Sequence, residues 1–253
     1  MSGALNTEKL SKSYGLLQVL ADVSLSVQGG SFTCIFGPSG CGKTTFLRIL
    51  AGLEPFNGGA VEIDGQDVRA LGTGLGRQLS IVWQDPRLVP WRTAGGNVEL
   101  ALELRGEADR RRRREVAREV LRLVDLESYY DRLPRELSGG MRQRVNLARA
   151  LALDTPVILM DEPLSNLNEI TEKRDLMEKI LRLWELRRKT IVYITHLLNE
   201  ALYLCDRLVL LSAKPTVVVE TVDLTIPRPR DLTAEDLETI KRRVNMLYRD
   251  VLV

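Results

Sequence analysis

With 253 residues the chain is long enough for one large domain or two small ones, with an ample core. Its 36 basic and 34 acidic residues nearly cancel, so nothing in the charge balance points to a nucleic-acid partner or an acidic substrate. Three cysteines without framework spacing point to a reducing compartment, and neither a signal peptide nor an apolar run of about 18 residues is visible. The expectation is a soluble, cytoplasmic protein whose membrane role, if it has one, comes through a partner.

In chain order, Ala4–Leu10 and Val19–Val27 read as strands, the second with Val23, Leu25 and Val27 in period 2. Between them Ser13-Tyr14-Gly15 is a turn with one aromatic, which could stack on a base; a surface or half-buried tyrosine is the competing reading. The buried-looking strand Phe32–Phe36 then opens into Gly37-Pro38-Ser39-Gly40-Cys41-Gly42-Lys43-Thr44, with Thr45 behind it and a helix through Leu50. This strand–loop–helix fits GxxxxGK[ST]. Its glycines let successive N–H groups face one anion, and the helix N-terminus adds partial positive charge. Lys43 then reaches the outer phosphates and the Thr44 hydroxyl can ligate Mg²⁺. Beside Lys43, the Cys41 thiol is expected as a thiolate, with Cys34 and Cys205 buried.

Ala60–Asp64 and Leu79–Trp83 read as further strands. Gln84 ends the second and can offer its amide to Mg²⁺ or to an attacking water. From Asn97 to Leu126 a helical period dominates, with Val116, Val120 and Leu123 on one face. The run Arg110–Arg114 within it reads as a solvated helix face, with a phosphate or lipid contact as the lesser alternative. Leu137-Ser138-Gly139-Gly140-Met141-Arg142-Gln143-Arg144 opens another helix, a second anion-facing N-terminus without a lysine. One P-loop and two such helix starts suggest that Ser138, Gly139 and Gly140 serve a neighbour's nucleotide.

Val157–Met160 is an apolar strand ending in Asp161-Glu162. A strand buried on both faces delivers its C-terminal residues to the ligand edge of a parallel sheet. Asp161 is placed to hold Mg²⁺ and Glu162 to act as general base, although an acidic strand end in solvent is about as common for the dipeptide alone. A helix over Glu169–Arg187 follows, with Met177, Ile180 and Trp184 on one side, then strands over Thr190–Thr195, Arg207–Ser212 and Thr216–Val222. His196, the single histidine, stands at a strand end. Alternating strands and helices argue a parallel α/β sheet, with the helical middle as an insertion. Ile226–Arg230 is a stiff Pro-containing connector. Beyond it, Thr233 and Asp236 resemble a capping box, and Leu237, Ile240, Val244, Leu247 and Val251 form a stripe that should dock a last helix on its own domain.

Taken together, these motifs resemble the ATP-binding-cassette ATPases, the motor subunits of membrane transporters, over essentially the whole chain. Tyr14 matches the family's adenine-stacking aromatic, Gly37–Thr44 the Walker A loop and Gln84 the Q-loop. Leu137–Arg144 matches the signature, Val157–Glu162 the Walker B strand and His196 the switch histidine. Gln84–Thr93 and the tail Ile226–Asp231 resemble the importers of nitrate, alkanesulfonates and taurine.

The resemblance implies an α/β P-loop NTPase with a mostly parallel core sheet, an N-terminal antiparallel β-subdomain and an inserted α-helical subdomain at about 91–136. The cassette would span 1–225, with connector and C-terminal helix (226–253) packed on it. It implies ATP and Mg²⁺, with Thr44, Gln84 and Asp161 at the metal, and a homodimer in which Ser138–Gly140 act in trans. It also implies integral-membrane permease subunits and, indirectly, a solute-binding protein, with the chain peripheral on the cytoplasmic face of the membrane. Two departures stand out: Asn168 where the family has aspartate, and Leu197 after the histidine. A DNA-repair-type head is one rival, but about 90 residues between Walker A and signature leave no room for long heptad arms. A ribosome-associated factor, which needs two cassettes in one chain, is a second, and a regulatory clamp that binds ATP without turnover, supported by Asn168 alone, is a third.

Overall fold

The computed structural model describes residues 3–167 and 169–251; Asn168 lies outside the described residues, as does the side chain of Val251. The elements begin with strands β1 (Leu5–Tyr14), β2 (Leu17–Val27) and β3 (Phe32–Phe36), then helix α1 (Lys43–Leu50). Strands β4 (Gly58–Ile63) and β5 (Gln66–Asp67) follow, with the single-turn helices α2 (Val68–Leu71) and α3 (Leu75–Gln78) and strand β6 (Leu79–Val82). Helices α4 (Ala94–Leu104), α5 (Arg110–Leu123) and α6 (Gly139–Ala152) lead to β7 (Val157–Asp161) and α7 (Ile170–Arg187). The remaining elements are β8 (Thr190–Thr195), α8 (Leu198–Leu204), β9 (Arg207–Leu211), β10 (Val218–Asp223) and α9 (Glu235–Val251).

Contacts divide the chain into two compact units, 1–75 with 189–253, and 76–188. The first holds an antiparallel sheet in the order β2-β1-β4-β5. Its first hairpin is tighter than the sequence suggests. The strands run to Tyr14 and Leu17, so Gly15 and Leu16 make the turn, with Gly15 at φ 58°. The same unit holds the parallel strands β8, β3 and β9, with β10 antiparallel along β9. Every residue of β8 is buried, as are Phe32 to Ile35 of β3, which is why both read as unbroken apolar runs.

The connector is pinned rather than a free spacer. Arg230 is buried and its guanidinium donates to the carbonyls of Leu202 (2.8 Å), Cys205 (2.6 Å) and Ile226 (2.9 Å). The capping box is also corrected: the Thr233 hydroxyl donates to Asp231 at 2.7 Å, because that carboxylate is two residues away. In α9, Leu237 and Val244 of the expected stripe are buried, and Ile240 and Leu247 are half-buried.

The second unit holds the parallel pair β6 and β7, in register from Leu79↔Val157 to Val82↔Met160, with α4 to α7. The single helical stretch expected over 97–126 is broken at Gly106 (φ 95°), and α5 restarts on Asp109, whose carboxylate accepts from the amides of Arg111 and Arg112. Ala117, Val120 and Leu121 form its buried face, so the helix sits rotated from the expected Val116 and Leu123. The arginine run is largely solvated: Arg110, Arg111, Arg112 and Arg114 are exposed, while Arg113 turns back onto the Glu107 carbonyl at 2.7 Å.

Candidate functional site

The first unit carries Tyr14, the loop Gly37–Thr45 and His196; the second carries Gln84, Ser138–Gly140, Asp161 and Glu162.

In the first unit the chain leaves β3 at Phe36 and curls before α1. Gly42 has φ 121°, and a Cβ there would stand 2.8 Å from Val19 Cγ1, so both backbone and space demand glycine. Gly40 has φ 77° and opens onto unfilled space. Lys43 is buried, and its Nζ donates to the carbonyls of Gly37 (2.8 Å) and Pro38 (2.9 Å), which closes the loop into a ring about the ammonium. No acidic side chain stands in the first turn of α1 to offset its N-terminal dipole. An ammonium, the hydroxyls of Ser39, Thr44 and Thr45, and a turn of backbone amides form a donor set that fits a polyphosphate.

Thr216 is a part of this site that the sequence reading missed. Its hydroxyl donates to the Cys41 carbonyl, and its backbone pairs with Val19 and Ala21 on either side of Leu20. The two partners are 175 residues apart, beyond any local pattern. Cys41 itself corrects an expectation. Its side chain is 2% exposed, and burial pushes the thiol above its ordinary value, outweighing the pull of Lys43. It is a buried thiol and not a poised thiolate.

Tyr14 is 47% exposed, with the Lys12 ammonium 4.5 Å from its ring centroid. Lys12 in turn pairs with Glu54 at 2.9 Å; Lys12 first, then the Tyr14 hydroxyl, hold that carboxyl below its usual range. His196 is half-buried just past β8. Its turn is fixed from both sides: the Leu197 amide donates to the Thr195 hydroxyl (3.0 Å), which donates to Glu200 (2.9 Å).

In the second unit, Gln84 presents its side chain to solvent while its backbone is clasped. The Gln84 carbonyl accepts from Asn166 Nδ2 at 2.9 Å. The Trp83 carbonyl accepts from Gln143 (3.0 Å) and Asn146 (2.8 Å), and that of Pro86 from Arg149 (2.7 Å). Gln143, Asn146 and Arg149 lie three apart on α6, one face turned to one loop. Further on, the buried Asn97 accepts from the Val89 amide (2.7 Å) and donates to the carbonyls of Arg92 and Thr93 (both 3.0 Å). Trp91, between these clasped residues, is 79% exposed.

Ser138 caps the same α6, its hydroxyl accepting from the Met141 amide at 3.1 Å, and again no acid stands in the first turn. Gly140 lets the Glu172 carboxylate approach: a Cβ would lie 3.2 Å from Glu172 Oε2. Asp161 is buried at the end of β7. Glu162 follows at φ 42°, a left-handed backbone for a side chain that rarely adopts it, with its carbonyl held by the Ser165 amide (3.1 Å) and hydroxyl (2.9 Å).

Comparison with known proteins gives a consistent result. The profile of the ABC transporter family matches residues 20–165. An uncharacterized ABC transporter ATP-binding protein of Methanocaldococcus jannaschii is 40% identical, over 100% of this chain and 94% of the relative. The aliphatic sulfonates import ATP-binding protein SsuB of Bacillus subtilis is 38% identical over 89% of this chain and 85% of its own length. Among solved structures, a dimeric bacterial ABC transporter cassette superposes with a TM-score of 0.79 at 32% identity, over 88% of this chain and 100% of that one. A post-hydrolysis state of that cassette bound to ADP and Pi gives 0.78 at the same identity and coverage.

Proposed function

The chain belongs to the ABC transporter family and is an ABC-type ATPase, and we propose that it drives an importer, working as a homodimer beneath a separate permease. The observation that carries the importer reading is similarity over nearly the whole chain to ATP-binding proteins named for aliphatic sulfonate import. A small anionic solute of the sulfonate, taurine or nitrate kind is therefore the proposed cargo, delivered by a solute-binding protein. Among the described residues no helix is long and apolar enough to cross a membrane, so attachment on the cytoplasmic face would come through the permease.

In this reading Tyr14 stacks on adenine, and Gly37–Thr45 take the phosphates. Lys43 exchanges the carbonyls of Gly37 and Pro38 for phosphate oxygens, trading neutral acceptors for charged ones. Thr44, Asp161 and Gln84 would hold Mg²⁺, an ion bound through few carboxylates together with substrate phosphates. When bound, it neutralises charge on the transferred phosphoryl group. Glu162 accepts a proton from the attacking water as its oxygen bonds to the γ-phosphorus and the β–γ bridge breaks. His196 steadies that water and the γ-phosphate. Ser138, Gly139 and Gly140 present the N-terminus of α6 to the nucleotide of the other copy, so the site is complete once two copies close. The proposed domain organisation keeps 1–225 as the cassette, with helical insertion near 91–136 and 226–253 docked on it. Exposed Trp91, on the segment that Asn97 holds, is the proposed first contact with the permease.

The test has two parts. Phosphate release from ATP by the purified chain, with and without Mg²⁺, tests the catalytic assignment. ATP-driven uptake of an alkanesulfonate by vesicles containing the co-purifying permease and solute-binding protein tests the cargo. Hydrolysis without uptake of an alkanesulfonate, taurine or nitrate would sink the cargo class and leave the ATPase standing.

A further inference from the structure

Tyr248 is a half-buried donor next to the P-loop that the chemistry above does not use. It stands on α9, which is fastened to the first unit by the buried side chains of Leu237 and Val244. Its ring meets that of Phe36 edge-on, with centroids 5.2 Å apart and planes at 85°. Its hydroxyl is shared between two carbonyls, Leu211 at 2.7 Å and Phe36 at 3.1 Å. These carbonyls lie at the ends of the neighbouring parallel strands β9 and β3, where the ladder between them stops.

Phe36 is the residue before the loop, and Leu211 is the wall the loop starts from. Gly37 packs on that wall so closely that a Cβ would stand 3.1 Å from Leu211 Cβ and 3.2 Å from its carbonyl oxygen. The Gly37 carbonyl in turn receives Lys43 Nζ. Contacts therefore run without a gap from α9 through Tyr248 to Phe36 and Leu211, then to Gly37 and Lys43. Burial, with the nearby Cys41 thiol adding to it, raises the phenol above its ordinary value, so the hydroxyl stays a donor at every physiological pH.

We infer that Tyr248 is a positioning residue for nucleotide binding: its hydroxyl ties the ends of β3 and β9 together, and so holds Gly37 and the ring around Lys43 in the shape that takes phosphate. The C-terminal helix thereby tunes affinity for the nucleotide without touching it. This rests on the reading of Gly37–Thr45 as the nucleotide site.

The experiment compares wild type, Tyr248→Phe and Val244→Ala. Tyr248→Phe keeps the ring and loses the hydroxyl, and Val244→Ala loosens the same helix away from the carbonyls. Readouts are Kd for a fluorescent ATP analogue, KM and kcat for hydrolysis, and Tm. Tyr248→Phe is expected to raise Kd and KM about three- to tenfold, the worth of one neutral hydrogen bond, with kcat within about twofold. Val244→Ala is expected to lower Tm at least as much while Kd stays within about twofold. Wild-type Kd in Tyr248→Phe would overturn the inference. So would an equal rise in Val244→Ala, which would reduce Tyr248 to part of the helix packing. Failure of the wild type itself to bind the analogue would instead remove the nucleotide reading, and the inference with it.

Discussion

Lys43 and Cys41 stand two residues apart in one loop, and burial acts on them in opposite ways. The Lys43 side chain is buried with acceptors provided, the carbonyls of Gly37 and Pro38, which charged oxygens can replace. The thiol is buried with desolvation as the dominant influence, which favours its neutral form. Lys43→Ala should therefore raise Kd for ATP at least about a hundredfold, since two charge-assisted bonds at roughly 1.5–3 kcal/mol each are lost. Calorimetry reads this directly, and wild-type affinity in the variant would take the loop out of the site. For Cys41 the outcome is slow chemistry. Iodoacetamide at pH 7 should label it at least about tenfold more slowly than a free cysteine, with the rate climbing as pH rises toward the elevated pKa. Labelling at the free-thiol rate, followed by mass spectrometry, would show that the loop opens far more than its burial implies.

At the scale of elements, α6 does two things at once. Its N-terminus carries Ser138–Gly140, and its flank carries Gln143, Asn146 and Arg149, which hold the backbone of Trp83 and Pro86. A displacement of the Gln84 loop thus has a hydrogen-bonded route to the helix that presents the signature. Arg149 is the outermost link, bonded to the carbonyls of Pro86 and Arg87 and to Asn146 Oδ1. Arg149→Met, similar in length but without donors, should cost about 1–3 kcal/mol of stability by removing the charge-assisted bonds to Pro86, Arg87 and Asn146. It should also reduce permease-stimulated hydrolysis more than basal hydrolysis; equal loss of both would mean that the link only supports the fold. None of this was legible in the sequence. The strands β3, β7 and β8 were, because burial on both faces leaves an unbroken apolar run. The glycine loop was too, because its backbone geometry admits few residues at Gly42. Side chains that bond to carbonyls 60 or more residues away leave no periodicity, so Asn146, Thr216 and Tyr248 passed as ordinary positions, and Gln143 was read only as part of the signature. The helix face of α5 was misjudged by about one residue: Ala117 and Leu121 flank Val120 on the buried side where Val116 and Leu123 were expected.

At the scale of the whole molecule, the proposed cycle depends on two copies closing over nucleotide and then parting once it is hydrolysed. In that cycle the step between these states is the proton removal proposed for Glu162, and that residue carries a structural mark of its own. Its φ of 42° places it in a left-handed region that costs a non-glycine residue on the order of 1–3 kcal/mol. The strained turn is held by Ser165, whose amide and hydroxyl both grip the Glu162 carbonyl. Glutamine has nearly the same shape and tolerates the same backbone equally badly, so Glu162→Gln removes the base while leaving the turn as it is. Hydrolysis should fall by roughly 10²–10⁴-fold, the usual contribution of a positioned general base. Binding of ATP should persist, because Lys43 and its loop lie in the other unit. A protein that closes but cannot hydrolyse should then collect as a dimer in ATP and return to monomer in ADP. Size-exclusion chromatography in each nucleotide, beside phosphate release, reads both quantities. A variant that stays monomeric in ATP with hydrolysis abolished would separate catalysis from closure, and wild-type turnover would move the base to another residue, His196 first.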